Sequence, residues 1–463
     1  MYKINFNEPI HIHFIGIGGI SMSGFAELLH TAGFTISGSD SKKSKITEHL
    51  EAKGITILYG QKPTNITPDI DLVVYTAAVH DDNPEMQAVI QQNIPRMDRA
   101  EMVGQVMLNY KNSIAISGTH GKTTTTSMLS QVFLESDLDP TISVGGILKA
   151  IGGNIRIGKS DNLITEACEY TNSFLKFNPR YSVILNVEED HLDFFKDITE
   201  IRQSFRLFAE KLPADGILFI NGEIENYEEI SQGLPCRVIT YSTESTPDSS
   251  YTYSASNISF NDDGYGEYDL LHNGEFVDHI VLGVVGMHNV SNSLPVIALA
   301  LEYNIPMDLI KQGLTAFHGT ERRFEYKGEV SGITIIDDYA HHPTEIRATL
   351  EAAKRYPHKS TWCVFQPHTY TRTKAFLKEF AEVLTLADNI VLTDIYAARE
   401  VDTGEISSKD LLAEIQKLGK EAYHFPSFEE IENFLLQNCT NGDLLITMGA
   451  GDVVSIGESL LGN

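Results

Sequence analysis

The sequence predicts an α/β protein of three domains, each built on a mostly parallel, doubly wound sheet. Short apolar runs rich in β-branched residues alternate with longer segments of helical periodicity along most of the chain. At 463 residues, the chain exceeds what a single ordinary core accommodates. Glycine-rich or polar turns follow several of the apolar runs, and parallel sheets hold their ligands at such turns. We place the domains at residues 1–108, 109–323 and 324–463.

The composition excludes several classes of protein. The net charge of −28 argues against a nucleic-acid or anionic-membrane partner, because phosphate surfaces are bound by lysine and arginine. None of the four cysteines forms a C-x-x-C pair, which fits a reducing cytosol and no metal framework. The first residues lack the pattern of a signal peptide, and no apolar run approaches the roughly 18 residues of a membrane span. We therefore expect a cytoplasmic protein without membrane insertion, as a monomer or homodimer.

The first domain opens with a strand, a glycine-rich turn and a helix. The strand Ile12 to Ile15 is followed by Gly16, Gly18 and Gly19, and a helix is predicted from about Ser21 to Ala32. A second strand leads to Asp40, at the distance where a ribose-binding acid often lies. The pattern is Rossmann-like, although Ser21 stands where the third glycine is usual. It predicts a nucleotide phosphate site, and tight helix–strand packing is the alternative.

The rest of this domain continues in strand–helix steps. Strands are predicted at residues 55–59 and 71–75, and a helix at residues 83–92 with Asn83 as cap and Pro84 in its first turn. The segment from Thr76 to His80 follows a strand end and is expected to line the same cleft. For His80 alone, an ordinary loop is an equal alternative.

The stretch from Ser113 to Thr126 is the strongest motif in the chain. An apolar strand, Ile114 to Ile116, runs into Gly-Thr-His-Gly-Lys-Thr, and an apolar helical face follows. Backbone N–H groups and the positive end of a helix dipole suit phosphate there, with Lys122 at the outer phosphates and the Thr123 hydroxyl on Mg²⁺. The loop is shorter than the general phosphate-loop pattern, since Ile116 stands where that pattern has its first glycine.

Two acidic segments follow predicted strands of the central domain. Glu166-Ala-Cys-Glu169 comes after residues 162–165, and residues 186–193, with His191, come after residues 182–186. Carboxylates beside a phosphate loop suit Mg²⁺, although the same acids would also form a solvated rim. Residues 251–285 alternate in polarity between turns, including Asn261 to Gly264, which predicts a small antiparallel meander.

The end of the central domain and the third domain add further polar groups. Asn289 and Asn292 precede a helix predicted from Leu294 to Tyr303, and capping is their favoured interpretation from sequence. Arg322 and Arg323 suit either phosphate or a surface salt bridge. Strands are predicted at residues 333–336, 362–365, 390–393 and 444–447 of the third domain, and Pro343 is expected to begin a helix. Three of these strand ends, at residues 337–343, 366–372 and 394–396, predict a binding edge that faces the other domains.

Together these motifs resemble the Mur ligases, the ATP-dependent amide ligases of bacterial peptidoglycan synthesis. The resemblance rests on Gly118-Thr-His-Gly-Lys-Thr-Thr124, Glu166 to Glu169, residues 186–193, Met287 to Asn292, Arg322 to Glu325 and Asp337 to Pro343. Within the family, His13 to Gly24 together with Gln366 to Arg372 are most similar to the members that act first in the pathway. The resemblance therefore implies an ADP-forming ligase that activates the carboxylate of UDP-N-acetylmuramate as an acyl phosphate, which the amine of L-alanine attacks. The implied substrates are these two and ATP, the implied ion is Mg²⁺, and the implied place is the bacterial cytoplasm.

The resemblance also implies roles for individual residues. Lys122, Glu169 and His191 would be catalytic, and Thr123, Glu169 and His191 would hold the metal. The ATP site would comprise Gly118, Thr119, His120, Gly121, Lys122, Thr123, Thr124, Asn289, Asn292, Arg323 and Asp337 or Asp338. UDP would lie on Gly16, Gly18, Gly19, Ser21, Met22, Ser23, Ser39, Asp40, Thr76 and His80. The amino acid would meet Tyr339, His341, His368 and Arg372, beside Thr369, where relatives often have arginine.

Three alternatives remain at this point. A recycling ligase of the same family would add a preformed peptide to the same sugar nucleotide. A phosphate-loop switch or motor would turn over ATP without regard to sugar nucleotides. A nicotinamide dehydrogenase would leave Gly118 to Thr123 unexplained.

Overall fold

The structure is a computed structural model that describes residues 3–76, 78–244, 251–262, 264–398 and 400–462. Within these ranges the chain forms three sheets in sequence order, which confirms the predicted three-part α/β architecture. The loop predicted at Thr76 to His80 and the turn at Asn261 to Gly264 each include one residue, 77 and 263, outside the described ranges. The predicted boundaries at residues 108/109 and 323/324 stay predictions. Among the described residues, no helix has the length and apolar character needed to cross a membrane.

The first sheet is fully parallel, with the strand order β3-β2-β1-β4-β5. Its strands are β1 (His11–Ile15), β2 (Thr35–Asp40), β3 (Thr56–Tyr59), β4 (Leu72–Tyr75) and β5 (Arg96–Asp98), and its helices are α1 (Ile20–Thr31), α2 (Lys45–Ala52), α3 (Pro84–Gln91) and α4 (Arg99–Met107). The order reverses between β1 and β4, so the glycine turn after β1 opens at the switch point of the sheet. The Asn83 side chain caps α3, as predicted.

The central sheet has ten strands in the order β15-β14-β13-β12-β11-β10-β6-β9-β7-β8. They are β6 (Asn112–Ser117), β7 (Thr141–Leu148), β8 (Gly153–Arg156), β9 (Asn162–Glu166), β10 (Tyr181–Ile184), β11 (Ile217–Asn221), β12 (Arg237–Ser242), β13 (Tyr253–Phe260), β14 (Tyr265–His272) and β15 (Glu275–Val285). The helices are α5 (Lys122–Glu135), α6 (Ile198–Ala209), α7 (Tyr227–Ser231), α8 (Met287–Glu302) and α9 (Met307–Ala316), with 3-10 turns at Lys149–Ile151 and Tyr170–Lys176. A further 3-10 turn, Pro63–Asn65, lies between β3 and β4 of the first sheet. The predicted meander is confirmed as β13 to β15, and it extends the parallel sheet through β12. The β7–β8 hairpin was not predicted.

The interpretation of Asn289 and Asn292 as helix caps was wrong. α8 begins at Met287, seven residues before the predicted start, so both asparagines lie inside the helix. Asn289 donates its side-chain amide to the carbonyl of Val285, and Asn292 donates to Asn289. The apolar periodicity begins only at Leu294 because the first two turns are lined with polar groups.

The third sheet has the order β16-β17-β21-β18-β19-β20, with only β16 antiparallel among its described strands. The strands are β16 (Glu325–Val330), β17 (Ile333–Asp338), β18 (Thr361–Phe365), β19 (Asn389–Leu392), β20 (Ala422–His424) and β21 (Leu444–Met448). The helices are α10 (Pro343–Ala353), α11 (Tyr370–Ala375), α12 (Leu377–Leu384), α13 (Ser408–Lys417), α14 (Phe428–Asn438) and α15 (Val454–Leu461). Pro343 begins α10, as predicted.

The three sheets are joined in two different ways. The first and central sheets share one continuous buried apolar cluster, which runs through α4 and the turn Tyr170–Lys176. A Cβ atom at Gly104 of α4 would lie 1.9 Å from the carbonyl oxygen of Lys176, so only glycine allows this approach. The third sheet has apolar clusters of its own. It is therefore attached to the rest of the chain mainly through the polar contacts described below.

Candidate active site

The phosphate loop connects β6, in the middle of the central sheet, to α5. Gly121 precedes the helix with φ +80°, and a Cβ atom there would lie 2.8 Å from the side-chain oxygen of Asn292. Glycine is therefore required both by the left-handed backbone and by the close approach of α8. The N–H groups of the first turn of α5 lack partners within the helix and point toward the open end of the loop, where an anion is favoured.

Asn186, just beyond β10, fixes the conformation of this loop. Its side-chain oxygen accepts the N–H of His120 at 2.7 Å, and its amide donates to the His120 carbonyl at 3.1 Å. The backbone carbonyl of Asn186 also accepts the N–H of Thr119. The Asn186 side chain thus holds the backbone of this short loop at His120.

Lys122 is held at the centre of the loop. Its Nζ donates to the carbonyls of Gly118 and Thr119 and lies 3.0 Å from Glu169 Oε2. Burial by itself would lower the pKa of Lys122, but the Glu169 carboxylate outweighs burial and raises that pKa above its usual value. Lys122 is therefore a fixed positive charge at any physiological pH.

A second acid, Glu166, contacts the next residue of the loop. Thr123 donates its hydroxyl to Glu166 Oε2 at 3.1 Å, and the N–H of Gly145 donates to the other carboxylate oxygen. Burial raises the pKa of Glu166. His191 faces Glu169 instead, with Nε2 at 3.7 Å from Oε1. A hydroxyl and a carboxylate beside a phosphate loop are the hard oxygen ligands that Mg²⁺ prefers.

A cavity of about 800 Å³ opens from the phosphate loop toward the third domain. Its lining includes residues of α5, of the first turns of α8 and of α10. The lining residues used below are His120, Thr124, Glu188, His288, Asn289, Asn292, Arg323, Asp338 and Glu345. Burial and the charge of Arg323 lower the pKa of His288 to about 4, so this ring is neutral at pH 7. The size of the cavity suits a nucleotide.

Three consecutive residues of the central domain contact the third domain. Glu188 accepts the hydroxyl of Thr344 at 2.6 Å, and the Glu189 carbonyl accepts Nε2–H of His342 at 3.0 Å. Asp190 pairs with Arg372 at 2.8 Å. The next residue, His191, turns back to Glu169 with φ +52°. His191 is therefore the residue that directly follows these contacts between the domains.

The predicted amino-acid residues form one row along the sheet edge of the third domain. The ring of His341 packs edge-on against Tyr339 and His368, and His368 stacks on Tyr396, with centroids 5.5 to 5.7 Å apart. The guanidinium of Arg322 lies over the Tyr339 ring. Arg372 lies 3.3 Å from His368 Nδ1, but its main partner is Asp190.

His120, Glu188 and His342 offer ligand atoms within 4.8 Å of one another, as a metal centre would. Both ring nitrogens of His342 are already engaged, however. Nε2 donates to the Glu189 carbonyl, and Nδ1 accepts the N–H of Thr344 at the start of α10. We therefore assign these residues to the contact between the domains rather than to a metal.

The glycine turn of the first domain is shaped by acidic side chains. Asp40 accepts the N–H of Gly18 at 2.8 Å, and the buried Ser39 donates to Glu85. Ser21, at the start of α1, accepts a hydrogen bond from Arg99 Nη1 at 3.1 Å. Arg99 is the cation that faces this turn from α4.

Arg99 also lies toward the phosphate loop. Burial and Glu169 raise the pKa of the Cys168 thiol to about 11, while the charges of Lys122 and Arg99 oppose that shift. Arg99 thus contacts the glycine turn through Ser21 and also acts electrostatically on Cys168, the neighbour of Glu169.

Family comparisons agree with this geometry over most of the chain. The model described as "Mur ligase family, catalytic domain" matches residues 11–111. Those described as "Mur ligase middle domain" and "Mur ligase, glutamate ligase domain" match residues 116–300 and 322–451. The chain belongs to the Mur ligase family. Among its relatives, a UDP-N-acetylmuramate–L-alanine ligase of Lachnoclostridium phytofermentans is 63% identical over the full length of both chains.

Solved structures of Mur ligases give the same result for the fold. A UDP-N-acetylmuramate–alanine ligase of Thermotoga maritima superposes with a TM-score of 0.81 at 29% identity, covering 98% of each chain. A murein peptide ligase of Psychrobacter arcticus has a TM-score of 0.70 at 24% identity, with the same coverage. The second likeness concerns the fold alone.

The structure brings most of the residues predicted for the ATP site around one space, with exceptions. Asp338 lines the cavity, whereas Asp337 is fully buried against Arg322 and Thr447 within the third domain. Thr123 and Glu169 were both predicted to hold the metal, but the Thr123 hydroxyl contacts Glu166 instead of Glu169. Among the residues predicted for the amino acid, Arg372 contacts Asp190 of the central domain.

Most of the residues predicted to hold UDP lie around the glycine turn of the first domain. Two of them do not face the turn. His80 is exposed ahead of α3, and the Ser39 hydroxyl is directed at Glu85. Thr76 contacts the turn, since its Cγ2 lies 2.6 Å from where a Cβ of Gly16 would be. Met22 is buried, and Ser23 donates to the carbonyl of Ile20.

Several candidate residues were missed by sequence reasoning. They are Arg99, Glu166, Asn186, Glu188, Asp190, His288 and Glu345. Five of these residues lie inside motifs that were recognised, so adjacency to a strand end was an available signal: Glu166, Asn186, Glu188, Asp190 and His288. Arg99 and Glu345 carry no such signal, because each acts on residues that are distant in sequence.

Proposed function

We propose that this chain is an ADP-forming ligase that joins L-alanine to the carboxylate of UDP-N-acetylmuramate in peptidoglycan synthesis. One observation carries the proposal: the chain has a glycine turn faced by Arg99, a phosphate loop that holds Lys122, and a third-domain edge with His341. These are the places that a sugar nucleotide, ATP and an amino acid would need. The loop and the edge are connected by Glu345, which contacts both His120 and His341. The names of the relatives support the choice of substrates.

The reaction begins with transfer of the ATP γ-phosphoryl group to the muramyl carboxylate. Lys122 and the N–H groups at the start of α5 face the phosphates and stabilise the charge that moves between them. Glu169 keeps Lys122 in place through their 3.0 Å contact. The amine of L-alanine then attacks the acyl phosphate, forms the C–N bond and releases inorganic phosphate.

Thr123 and Glu166 fit a magnesium ion by their chemistry, and we propose that they hold it. Their oxygens lie 3.1 Å apart at the carboxyl end of β9, where they would hold the ion beside the phosphate loop. Such an ion supplies positive charge to the transferring phosphoryl group. Glu169 orients Lys122, and His191 in turn contacts Glu169.

The third domain supplies the amino-acid site and closes the reaction space. Its edge residues meet the central domain through His342, Thr344 and Arg372. Closure excludes water from an acyl phosphate that would otherwise hydrolyse, and it brings the amine into register with the carbonyl carbon. Both nucleotide substrates are made inside the cell, so we propose that the enzyme works in the bacterial cytoplasm, as a monomer or homodimer.

Phosphate release tests the proposed function directly. A mixture of UDP-N-acetylmuramate, L-alanine, ATP and Mg²⁺ should release phosphate, and omission of any one component should stop it. Replacing L-alanine with the tripeptide that a recycling ligase would add should give little release. Equal ATP turnover without the sugar nucleotide would instead indicate a nucleotide switch.

Arg99 is expected to bind the anionic sugar nucleotide. Replacing Arg99 with Gln should raise the KM for UDP-N-acetylmuramate by about tenfold or more, because a charged hydrogen-bond donor at the glycine turn is lost. The KM for ATP should stay close to its wild-type value. Arg96→Gln, three residues earlier and exposed on β5, is the control and should leave all constants unchanged. A change in the KM for ATP alone would contradict this role.

A further inference from the structure

Glu345, in the first turn of α10, contacts the side chains of His120, Arg323 and His341 at once. One carboxylate oxygen lies 3.3 Å from His120 Nδ1 and 3.7 Å from Arg323 Nη1. The other lies 3.3 Å from His341 Nδ1 and accepts the N–H of His341 at 3.0 Å. Only 12% of the Glu345 side chain is exposed. A buried carboxylate with this many partners has a fixed position.

The three partners come from different parts of the molecule. His120 belongs to the phosphate loop of the central domain, and Arg323 lies between α9 and β16, where the chain enters the third sheet. His341 belongs to the row of rings at the amino-acid edge. Glu345 is therefore the point at which the ATP side and the amino-acid side of the site meet.

We propose that Glu345 is a positioning residue that sets the ATP-binding and the amino-acid-binding groups in a single arrangement when the third domain is docked. This inference rests on the proposed function, since His341 is assigned to the amino acid there. Glu345 acts through its three partners and needs no contact of its own with a substrate. It is supplied by the third domain, so the arrangement exists only in the docked state.

The charges around Glu345 support this role. Burial by itself would raise its pKa, but His341, His120 and Arg323 outweigh burial and hold it well below its usual value. Glu345 is thus an anion that lines a cavity suited to ATP, which is itself strongly anionic. Without a positioning role, its charge would only repel the phosphates. If Glu345 only repelled the phosphates, removing its charge would strengthen ATP binding. If Glu345 is a positioning residue, removing its charge would weaken ATP binding.

Steady-state kinetics of Glu345→Gln separate these possibilities. The substitution keeps the size of the side chain and removes its charge. We expect the KM for ATP and the KM for L-alanine each to rise by about tenfold or more, because His120, Arg323 and His341 lose a charged partner. The KM for UDP-N-acetylmuramate, whose site lies in the first domain, should change by less than about twofold. Glu345→Asp keeps the charge and should recover part of the loss.

Glu351→Gln is the matched control, since Glu351 lies exposed on the same helix, and it should behave as wild type. An unchanged or lower KM for ATP in Glu345→Gln would overturn the inference, as would an equal rise for all three substrates. Calorimetry with the ATP analogue AMP-PNP and Mg²⁺ keeps the two proposals distinguishable. If the wild-type chain proves to have no ligase activity, the proposed function fails. Glu345→Gln should still weaken binding of the analogue by about tenfold, and unchanged binding would overturn the inference.

Discussion

Replacing Lys122 with Met should reduce phosphate release by at least about 1,000-fold, the order expected when a preorganised charge at the reacting phosphate is lost. Lys122 is fixed by the carbonyls of Gly118 and Thr119 and by Glu169. Its charge stabilises phosphate oxygens more in the transition state than in bound ATP, so the loss should appear mainly in kcat. Rates with all three substrates at saturation would measure it.

The same substitution leaves Glu169 buried without its main cation, which should also lower the free energy of unfolding. The double variant Lys122→Met, Glu169→Gln removes both charges and should recover stability without recovering activity. Lys111→Met, at an exposed position just before β6, is the control for loss of a lysine and should be active. If the double variant regained activity together with stability, Lys122 would have a structural role rather than a catalytic one.

The fold could be predicted because buried parallel strands have apolar sequences that can be recognised without knowledge of their tertiary contacts. β6 and β21 are buried along nearly their whole length, so each contains an apolar run that is visible in the sequence. Some of the strands that were missed, such as β7 and β12, lie inside the central sheet, and two others lie at sheet edges. β8 and β16 carry glycine and charged residues at the sheet edges, where one side of the strand has no partner to demand apolar residues.

The start of α8 shows a second limit of sequence reasoning. Met287 to Ser293 lack an apolar stripe because this part of the helix faces the cavity, so periodicity located only the later turns. The polar residues that hid the helix are the ones that bring Asn289 and Asn292 to the phosphate loop. The polar residues that suit this surface to its function therefore weakened the apolar periodicity by which the helix could have been predicted.

The site was predictable where its residues are adjacent in sequence and not where they meet through the fold. The run from Gly118 to Thr124 specifies a strand, a turn and a helix start, which already fixes where a phosphate binds. The partner of Thr123 depends instead on how far β9 extends before the chain turns. β9 runs to Glu166, whose side chain reaches Thr123, whereas Glu169 lies three residues further on, opposite Lys122.

Arg372 illustrates the same limit across two domains. Sequence resemblance implies a contact with the amino acid, and the structure pairs this arginine with Asp190 of the central domain. Asp190 is buried, and burial by itself would raise its pKa, but Arg372 holds that pKa well below its usual range. The partner of Arg372 depends on the position of the third domain against the central domain. A local sequence pattern does not predict that position.

Glu166→Gln should reduce activity by at least about 100-fold, because removing a direct Mg²⁺ ligand reduces activity more than removing a residue that only supports a ligand. It should also raise the Mg²⁺ concentration needed for half-maximal activity. The Glu166 carboxylate accepts the Thr123 hydroxyl and the N–H of Gly145, so it is held at the place where the ion would sit. An amide in its place keeps one weak oxygen ligand and loses the charge. Magnesium titrations at saturating substrates would measure the shift.

Glu169→Gln is the informative comparison, because sequence reasoning assigned the metal to Glu169. With Glu169 bonded to Lys122 rather than to Thr123, this variant should lose kcat while its Mg²⁺ requirement changes little. The reverse pattern, in which only Glu169→Gln demands more Mg²⁺, would place the ion between Glu169 and His191. In that case the Thr123–Glu166 contact would serve only to hold the phosphate loop against the end of β9.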